Sequence, residues 1–362
     1  MINLLGVIGL GLMGGSLCKG LKYKNFKTPI IAYDTDISAL KNAKEENQID
    51  YIAKNIEELI EKCDVIVVAT HLRHFPEIFS KINEKLKHKL ILTDLGSVKK
   101  SVRDLIEKCT NPNLHYIGVH PMTGSEKTGY LSSDAYLYEN AYCFICPYEK
   151  AEGEDIEKVT EIFNVLGSFS VIYPPEEHDK TVAFISHLPH VLAATLINTV
   201  EENQGMKRLP FIGGGFKDST RIAAGDSNLW KDIILYNKEN ILNSLKNFEK
   251  NLQKIYGIIE SEDKEKLHDF LSSASLLRKS LPKKTKDYIS TQFPLYVSIP
   301  DMPGALAKLT SALANINIKQ IEILHSREVD GAIRLNFSSD EEKQNAFKLL
   351  QEKGYRVFQE ED

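Results

Sequence analysis

The chain has 362 residues, a net charge of -5 and five cysteines, a length that predicts two or three domains rather than one core. Mild acidity without an extended basic run excludes a nucleic-acid surface, and cysteines without a paired framework fit a reducing cytoplasm. The first apolar strand begins almost at Met1, leaving no room for a signal peptide, and no apolar stretch reads as long enough to span a bilayer.

Leu4-Leu5-Gly6-Val7-Ile8 reads as a short strand, followed by Gly9-Leu10-Gly11-Leu12-Met13-Gly14 and a helical run from about Gly15-Ser16-Leu17. In this setting G-x-G-x-x-G is a dinucleotide-binding turn. Its glycines permit the tight turn, the approach of the pyrophosphate and close helix–strand packing. The helix start offers free N–H groups to the phosphates. Pro29 to Tyr33 makes a second strand ending in Asp34, twenty residues after Gly14. A carboxylate there suits a ribose 2′-hydroxyl and repels a 2′-phosphate, so NAD is favoured over NADP.

Asp64–Ala69 and Lys89–Asp94 are further buried strands separated by helical stretches, the pattern of a parallel sheet. The second leads into Leu95-Gly96-Ser97-Val98-Lys99, where Ser97 reads by propensity as a helix N-cap and is also placed to contact the nicotinamide or His120, the two roles being compatible. Tyr116–Val119 then runs as a strand into His120-Pro121-Met122-Thr123-Gly124. That places an imidazole, able to exchange a proton near neutral pH, at the strand end where open α/β sheets bind ligands. The plainer reading is a loop histidine in solvent. Cys143 and Cys146 form a C-x-x-C inside a strand, so their sulfurs point apart. They read as structural.

From about Pro174 the pattern becomes helical. Ile234, Ile241, Leu245, Phe248, Leu252 and Ile255 predict one stripe on a helix of about two dozen residues, buried against its own block or a second subunit. A homodimer is expected. Ser186-His187-Leu188-Pro189-His190 sets two histidines in a helix interrupted by Pro189, a break costing about 3 kcal/mol. No carboxylate accompanies them, so no metal is expected. Gly213-Gly214-Gly215 reads as a flexible run delivering Arg221. This guanidinium is a carboxylate clamp or a surface ion-pair partner. Trp230, the only tryptophan, reads by itself as core.

Residues 293–362 form a separate βαββαβ unit: a strand at Phe293–Ile299, a turn at Pro300–Gly304, and a helix with Leu306, Leu309 and Leu313. Strands through Ile321–Leu324 and Ala332–Phe337 flank an Asp330-Gly331 hairpin, and a charged helix leads to a strand at Tyr355–Phe358. This order is ferredoxin-like.

In order and spacing, Val7–Ser16, Gly96–Lys99, His120–Glu126, Ser186–His190 and Phe216–Arg221 resemble the prephenate dehydrogenase family over essentially the whole chain. Ala69-Thr70-His71-Leu72-Arg73 departs from it, since the family often has a Ser-Pro-Val-Arg-like run there. The resemblance implies NAD-dependent oxidative decarboxylation of prephenate to 4-hydroxyphenylpyruvate, in tyrosine biosynthesis. His120 would accept the hydroxyl proton, Ser97 would orient that histidine or the nicotinamide, and Arg221 would clamp the ring carboxylate. His190, Ser186, Gly214 and Trp230 would contact the substrate or bound tyrosine. Gly9, Leu10, Gly11, Leu12, Met13, Gly14, Asp34, Thr70 and Ser97 would hold NAD.

With Asp301-Met302-Pro303-Gly304-Ala305-Leu306, the last unit looks like an ACT domain. Asp301, Gly304 and Asn315 would be effector contacts and tyrosine the inhibitor, unless the unit serves only dimerisation. The implied partition is a Rossmann-type NAD domain over 1–173, an all-helical substrate and dimerisation domain over 174–287, and the ACT domain over 293–362. Lys283–Asp287 would be the linker. Three rivals remain. Arogenate dehydrogenase shares the chemistry, a β-hydroxyacid dehydrogenase would lack the His-Leu-Pro-His and Thr-Arg segments, and an amino-acid sensor would bind NAD without catalysis.

Overall fold

The computed structural model describes residues 2–204, 211–281, 293–300, 302–318, 320–324, 332–337 and 339–358. These fall into two compact units, Met1–Ser275 and Leu276–Asp362.

The first unit begins with β1 (Leu5–Ile8), α1 (Leu12–Tyr23), β2 (Ile30–Tyr33), α2 (Ile37–Glu45), β3 (Tyr51–Ile52) and α3 (Ile56–Lys62). There follow β4 (Val65–Val68), α4 (Phe75–Lys85), β5 (Leu90–Asp94), α5 (Lys100–Ile106), β6 (Leu114–Pro121), β7 (Tyr142–Pro147), α6 (Gly153–Val165) and β8 (Phe169–Ile172). The strands form one eight-stranded sheet in the order β3-β2-β1-β4-β5-β6-β7-β8. All neighbours are parallel except β6 and β7. This is the Rossmann-like α/β sheet expected from the sequence, with an antiparallel strand that the sequence did not announce.

Both faces of the sheet are covered, and period-two alternation sorts each strand between them. Val65 and Val67 enter a core with Leu17 and Leu21 of α1 and Phe163 of α6. Ile66 and Val68 enter another with Leu59 of α3 and Phe75 and Phe79 of α4. Cys143 and Cys146 of β7 are free and buried, and burial pushes the Cys146 thiol up to about 12.

The helices then come in series: α7 (Pro175–Val182), α8 (Leu188–Gln204), α9 (Gly214–Thr220), α10 (Ser227–Tyr236), α11 (Lys238–Glu260) and α12 (Lys264–Ser280). Four expectations change here. Ile234 lies on α10 and the rest of its stripe on α11, because Asn237 ends one helix and begins the next. Pro189 does not break its helix. It has no N–H for the carbonyl a turn back, and a π turn over Ala183–His187 absorbs the misfit between α7 and α8. The triple glycine is no loose tether, since Gly213 is the N-cap of α9 and Gly214 and Gly215 are its first residues. Finally, Pro175–Asn203 is long and apolar enough, by length and composition alone, to cross a membrane. Ser186, His187 and His190 interrupt the run, which hid this in the sequence. Val182, Ala183 and Ala193 within it are buried.

The second unit holds β9 (Phe293–Ser298), α13 (Ala305–Ala312), β10 (Gln320–Leu324), β11 (Ala332–Phe337), α14 (Asp340–Glu352) and β12 (Arg356–Phe358). Its sheet is antiparallel throughout, in the order β10-β11-β9-β12. Leu295, Val297, Leu309, Leu335 and Leu350 form its core. Lys283–Asp287, Asp301 and Asp330-Gly331 lie outside the described residues.

A Cβ on Gly14 would stand 1.9 Å from the Gly9 carbonyl oxygen, while one on Gly11 would meet nothing within 4 Å. Gly14→Ala should therefore lower the melting midpoint by the equivalent of about 1–3 kcal/mol or more, and Gly11→Ala should leave it nearly unchanged. Thermal melts of both variants check this, and equal midpoints would contradict it.

Candidate active site

Strand register lines up the site. Ile8, Val68, Asp94 and Gly118 are aligned across β1, β4, β5 and β6. Two residues further along each come Leu10, Thr70, Gly96 and His120, at the carboxyl ends where such sheets bind ligands. The strand order reverses beside β1, the switch point at which open α/β sheets take their ligands.

The nucleotide end is built by β1, α1, β2 and β4. Gly9 has φ 98°, and a Cβ there would lie 2.7 Å from the Ala69 carbonyl oxygen. Only glycine fits. Gly11 is the N-cap of α1, with open space beside it, so an anion can reach the first N–H groups of the helix near Leu12 and Met13. The Asp34 carboxylate accepts from Leu10 N at 2.5 Å and from Asp36 N at 2.8 Å, which pins it beside the glycine turn. Thr70 Oγ1 is buried without a partner among the described residues. The open cradle, the fixed acid and the orphaned hydroxyl fit an adenine dinucleotide.

His120 lies inside β6 rather than beyond its end, because antiparallel β7 extends the ladder and pairs Phe144 with it. It is 7% exposed. Its Nδ1 is 2.7 Å from His178 Nε2, and His178 Nδ1 is 2.8 Å from Asp179 Oδ1. The same carboxylate accepts from Lys99 N at 2.8 Å and Lys100 N at 2.9 Å. Asp179 therefore caps α5, the role expected of Ser97. A carboxylate from α7 reaches both N–H groups at once, and half-buried Ser97 stands free of the cap beside Gly96. Beneath the loop, buried Lys99 donates to Asp94 Oδ1 at 2.7 Å and to the Gly96 carbonyl at 2.8 Å. Tyr116 donates to the other Asp94 oxygen. Burial holds His120 well below the ordinary histidine range, reinforced by His178, Lys99 and His187.

The helical block supplies the facing wall. His190 stacks flat on Trp230, with ring centroids 3.4 Å apart, and His187 meets the same indole edge-on at 6.0 Å. A Cβ at Gly225 would come within 2.7 Å of Trp230 Nε1. Asn237 Nδ2 donates to the Asp179 carbonyl at 2.8 Å and lies 3.1 Å from His187 Nδ1. Burial carries His187 down to about 4. His190 Nδ1 and His187 Nε2 are buried without partners among the described residues. Ser186 is half-buried in the π turn, and Gly214 is exposed at the start of α9. The Arg221 side chain is 65% exposed, with NH1 3.8 Å from Glu126 Oε2, in the loop that follows His120.

The sequence had not singled out His178, Asp179, Asp94 or Asn237. The one available signal was that 178, 179 and 182 share a helix face, where polar residues have to be satisfied once buried. At the opposite end of β6, His115, Glu152 and Asp155 lie within 4.8 Å of one another. The Lys89 ammonium already pairs with both carboxylates, at 2.5 Å from Glu152 and 3.0 Å from Asp155.

Residues 17–172 match the prephenate dehydrogenase nucleotide-binding domain, and residues 174–273 match the prephenate dehydrogenase dimerization domain. A prephenate dehydrogenase of Bacillus subtilis is 31% identical over 361 residues, covering 97% of this chain and 96% of the relative. The crystal structure of Aquifex aeolicus prephenate dehydrogenase with hydroxyphenyl propionate and NAD+ is 31% identical with a TM-score of 0.73, covering 78% of this chain and 99% of that one. Synechocystis arogenate dehydrogenase is 25% identical with a TM-score of 0.67, covering 77% and 100%. With the glycine cradle, the buried histidine and the helical wall in this order, the chain belongs to the prephenate dehydrogenase family.

Proposed function

We propose that the chain oxidises and decarboxylates prephenate to 4-hydroxyphenylpyruvate with NAD, and that His120 is the base. The observation that carries the assignment of the base is the buried imidazole on the register line of the glycine turn. NAD, when bound, takes up the hydride from the hydroxyl-bearing carbon. Burial keeps His120 neutral near pH 7, so it can accept the hydroxyl proton, a contribution of about 10²–10⁴-fold. Loss of CO2 leaves an aromatic ring, so the residues chiefly position groups and place charge.

Arg221 is the clamp for the ring carboxylate. Its present partner Glu126 is exposed and loosely held, and a substrate carboxylate matches the guanidinium fork better. His190 on its Trp230 platform, with Ser186 and Gly214, faces the rest of the substrate. Gly9 to Gly14, Asp34 and Thr70 hold NAD, with Ser97 at the nicotinamide end. A second reading is arogenate, which differs only by an amino group in place of the side-chain keto group. The likeness to the Synechocystis enzyme favours keeping it in view, and rates on both substrates separate the two.

We assign 1–173 to the NAD domain, 174–287 to the substrate and dimerisation domain, and 293–362 to an ACT domain binding tyrosine. Supporting this are the ferredoxin-like βαββαβ strand order and the left-handed Gly304, φ 84°, ahead of α13. Asn315 is exposed nearby in sequence. Exposed Leu235, Leu242, Leu252, Tyr256 and Ile259 on α10 and α11 suit burial against a second copy, hence a homodimer. Five unpaired cysteines suit the cytoplasm.

His120→Asn should cut kcat by about 10²–10⁴-fold with binding of prephenate and NAD retained. Arg221→Ala should instead raise KM for prephenate about tenfold to a hundredfold, the loss of about 1.5–3 kcal/mol of charge-assisted hydrogen bonding. Near-normal kinetics in both would sink the assignment. Asp34→Asn should weaken NAD and make NADP relatively better, which initial rates with each cofactor measure. A wild type that already prefers NADP contradicts that reading. A chain ending near Asp287 should turn over prephenate at a comparable rate but respond less to tyrosine, since inhibition requires two coupled sites. Inhibition constant and mode in both forms decide it: unchanged, purely competitive inhibition after truncation would remove the ACT domain as the sensor.

A further inference from the structure

We propose that His178 and Asp179 are positioning residues that hold His120 in the one tautomer able to act as a base. This rests on the reading of His120 as the base, but its geometry is independent of the substrate. The far end of the chain of hydrogen bonds sets the protons. The Asp179 carboxylate accepts from the backbone N–H groups of Lys99 and Lys100, so it meets His178 Nδ1 as an acceptor and fixes the proton on that nitrogen. Neutral His178 then has a bare Nε2, which can only accept from His120 Nδ1, 2.7 Å away. Neutral His120, its proton committed to Nδ1, is left with a lone pair on Nε2. Which ring nitrogen carries the proton is set by the bond the other one makes.

The surroundings enforce neutrality of both rings. His120 and His178 are buried, as are Lys99, Asp94 and His187 near them, and Phe144 packs edge-on to the His178 ring at 5.2 Å. Asn237, between α10 and α11, donates to the Asp179 backbone carbonyl, so the residue is held through its main chain as well as its side chain. In the reaction the substrate O–H bond breaks and its proton joins His120 Nε2. The resulting imidazolium keeps its Nδ1 proton in the bond to His178 and faces Asp179 through that ring, with no further proton leaving.

The test combines a spectrum with kinetics on the full chain. In ¹⁵N-histidine NMR the His120 ring should have Nδ1 protonated and Nε2 bare, assigned by loss of its signals in His120→Asn. Protonation at Nε2 instead would overturn the proposal. His178→Phe removes the acceptor while keeping a flat ring, and should lower kcat about 10²-fold with KM for prephenate and NAD within about threefold. His178→Gln, whose amide oxygen can accept from Nδ1, should regain about tenfold of that loss. A Phe variant that folds and keeps kcat within about threefold of wild type also overturns it. Should the Phe variant not fold, the wild-type spectrum still decides. If the wild type produced no NADH from prephenate or arogenate, the functional reading would fail while the tautomer assignment stood on the spectrum alone.

Discussion

Asp179 takes hydrogen bonds from two backbone N–H groups at the start of α5 and from the ring of His178, and its own carbonyl is held by Asn237. One side chain of the helical block thereby fixes both the strand-end loop of the nucleotide domain and the orientation of its histidine. Bonds to a charged group contribute about 1.5–3 kcal/mol each. Exposed pairs such as Lys180–Glu177 or Lys266–Asp263 are screened by solvent and contribute little. The buried carboxylate is therefore the constraint on which the site's geometry depends. The Asp94–Lys99 pair works alongside it by giving the loop after β5 a fixed floor.

This arrangement explains why a π turn lies where it does. Asn237 must reach His187 and the Asp179 carbonyl together, while His190 must lie flat on Trp230. A regular helix carrying Pro189 would leave a carbonyl unmatched, and the wider turn resolves that misfit while setting His187 against Asn237 and His190 against the indole. Gly225 permits the approach, since a side chain there would collide with Trp230. The wall of stacked rings is thus a consequence of backbone chemistry as much as of the imidazoles.

Much of the α/β half was legible because its signals are local. Glycines at 9, 11 and 14, an acid at 34 and a histidine after an apolar strand each carry meaning at short range. What escaped depends on contacts between distant segments. Ser97 has the right chemistry for an N-cap, yet a carboxylate some eighty residues away in sequence takes the role. His178 and Asp179 sit in a polar-looking helix, and only the face they share with Val182 points to their burial. The break at Asn237 was hidden because the apolar stripe continues in phase across it. The triple glycine read as flexible on propensity, but a helix start tolerates glycine where neighbours leave space. The second unit's strands were readable from alternation. Asp301 and the Asp330-Gly331 hairpin signal fall outside the described residues.

In the proposed mechanism the reacting oxygen meets His120 Nε2 at the nicotinamide. A crystal structure of the chain with NAD and 4-hydroxyphenylpyruvate tests it directly, because the product's phenolic oxygen is the former hydroxyl oxygen. The account places that oxygen within about 2.6–3.2 Å of His120 Nε2, with His120 Nδ1 still on His178 and the ring carbon bearing the oxygen against the nicotinamide. A product bound with its phenol turned away from His120, or with Nδ1 rather than Nε2 facing the oxygen, would contradict it.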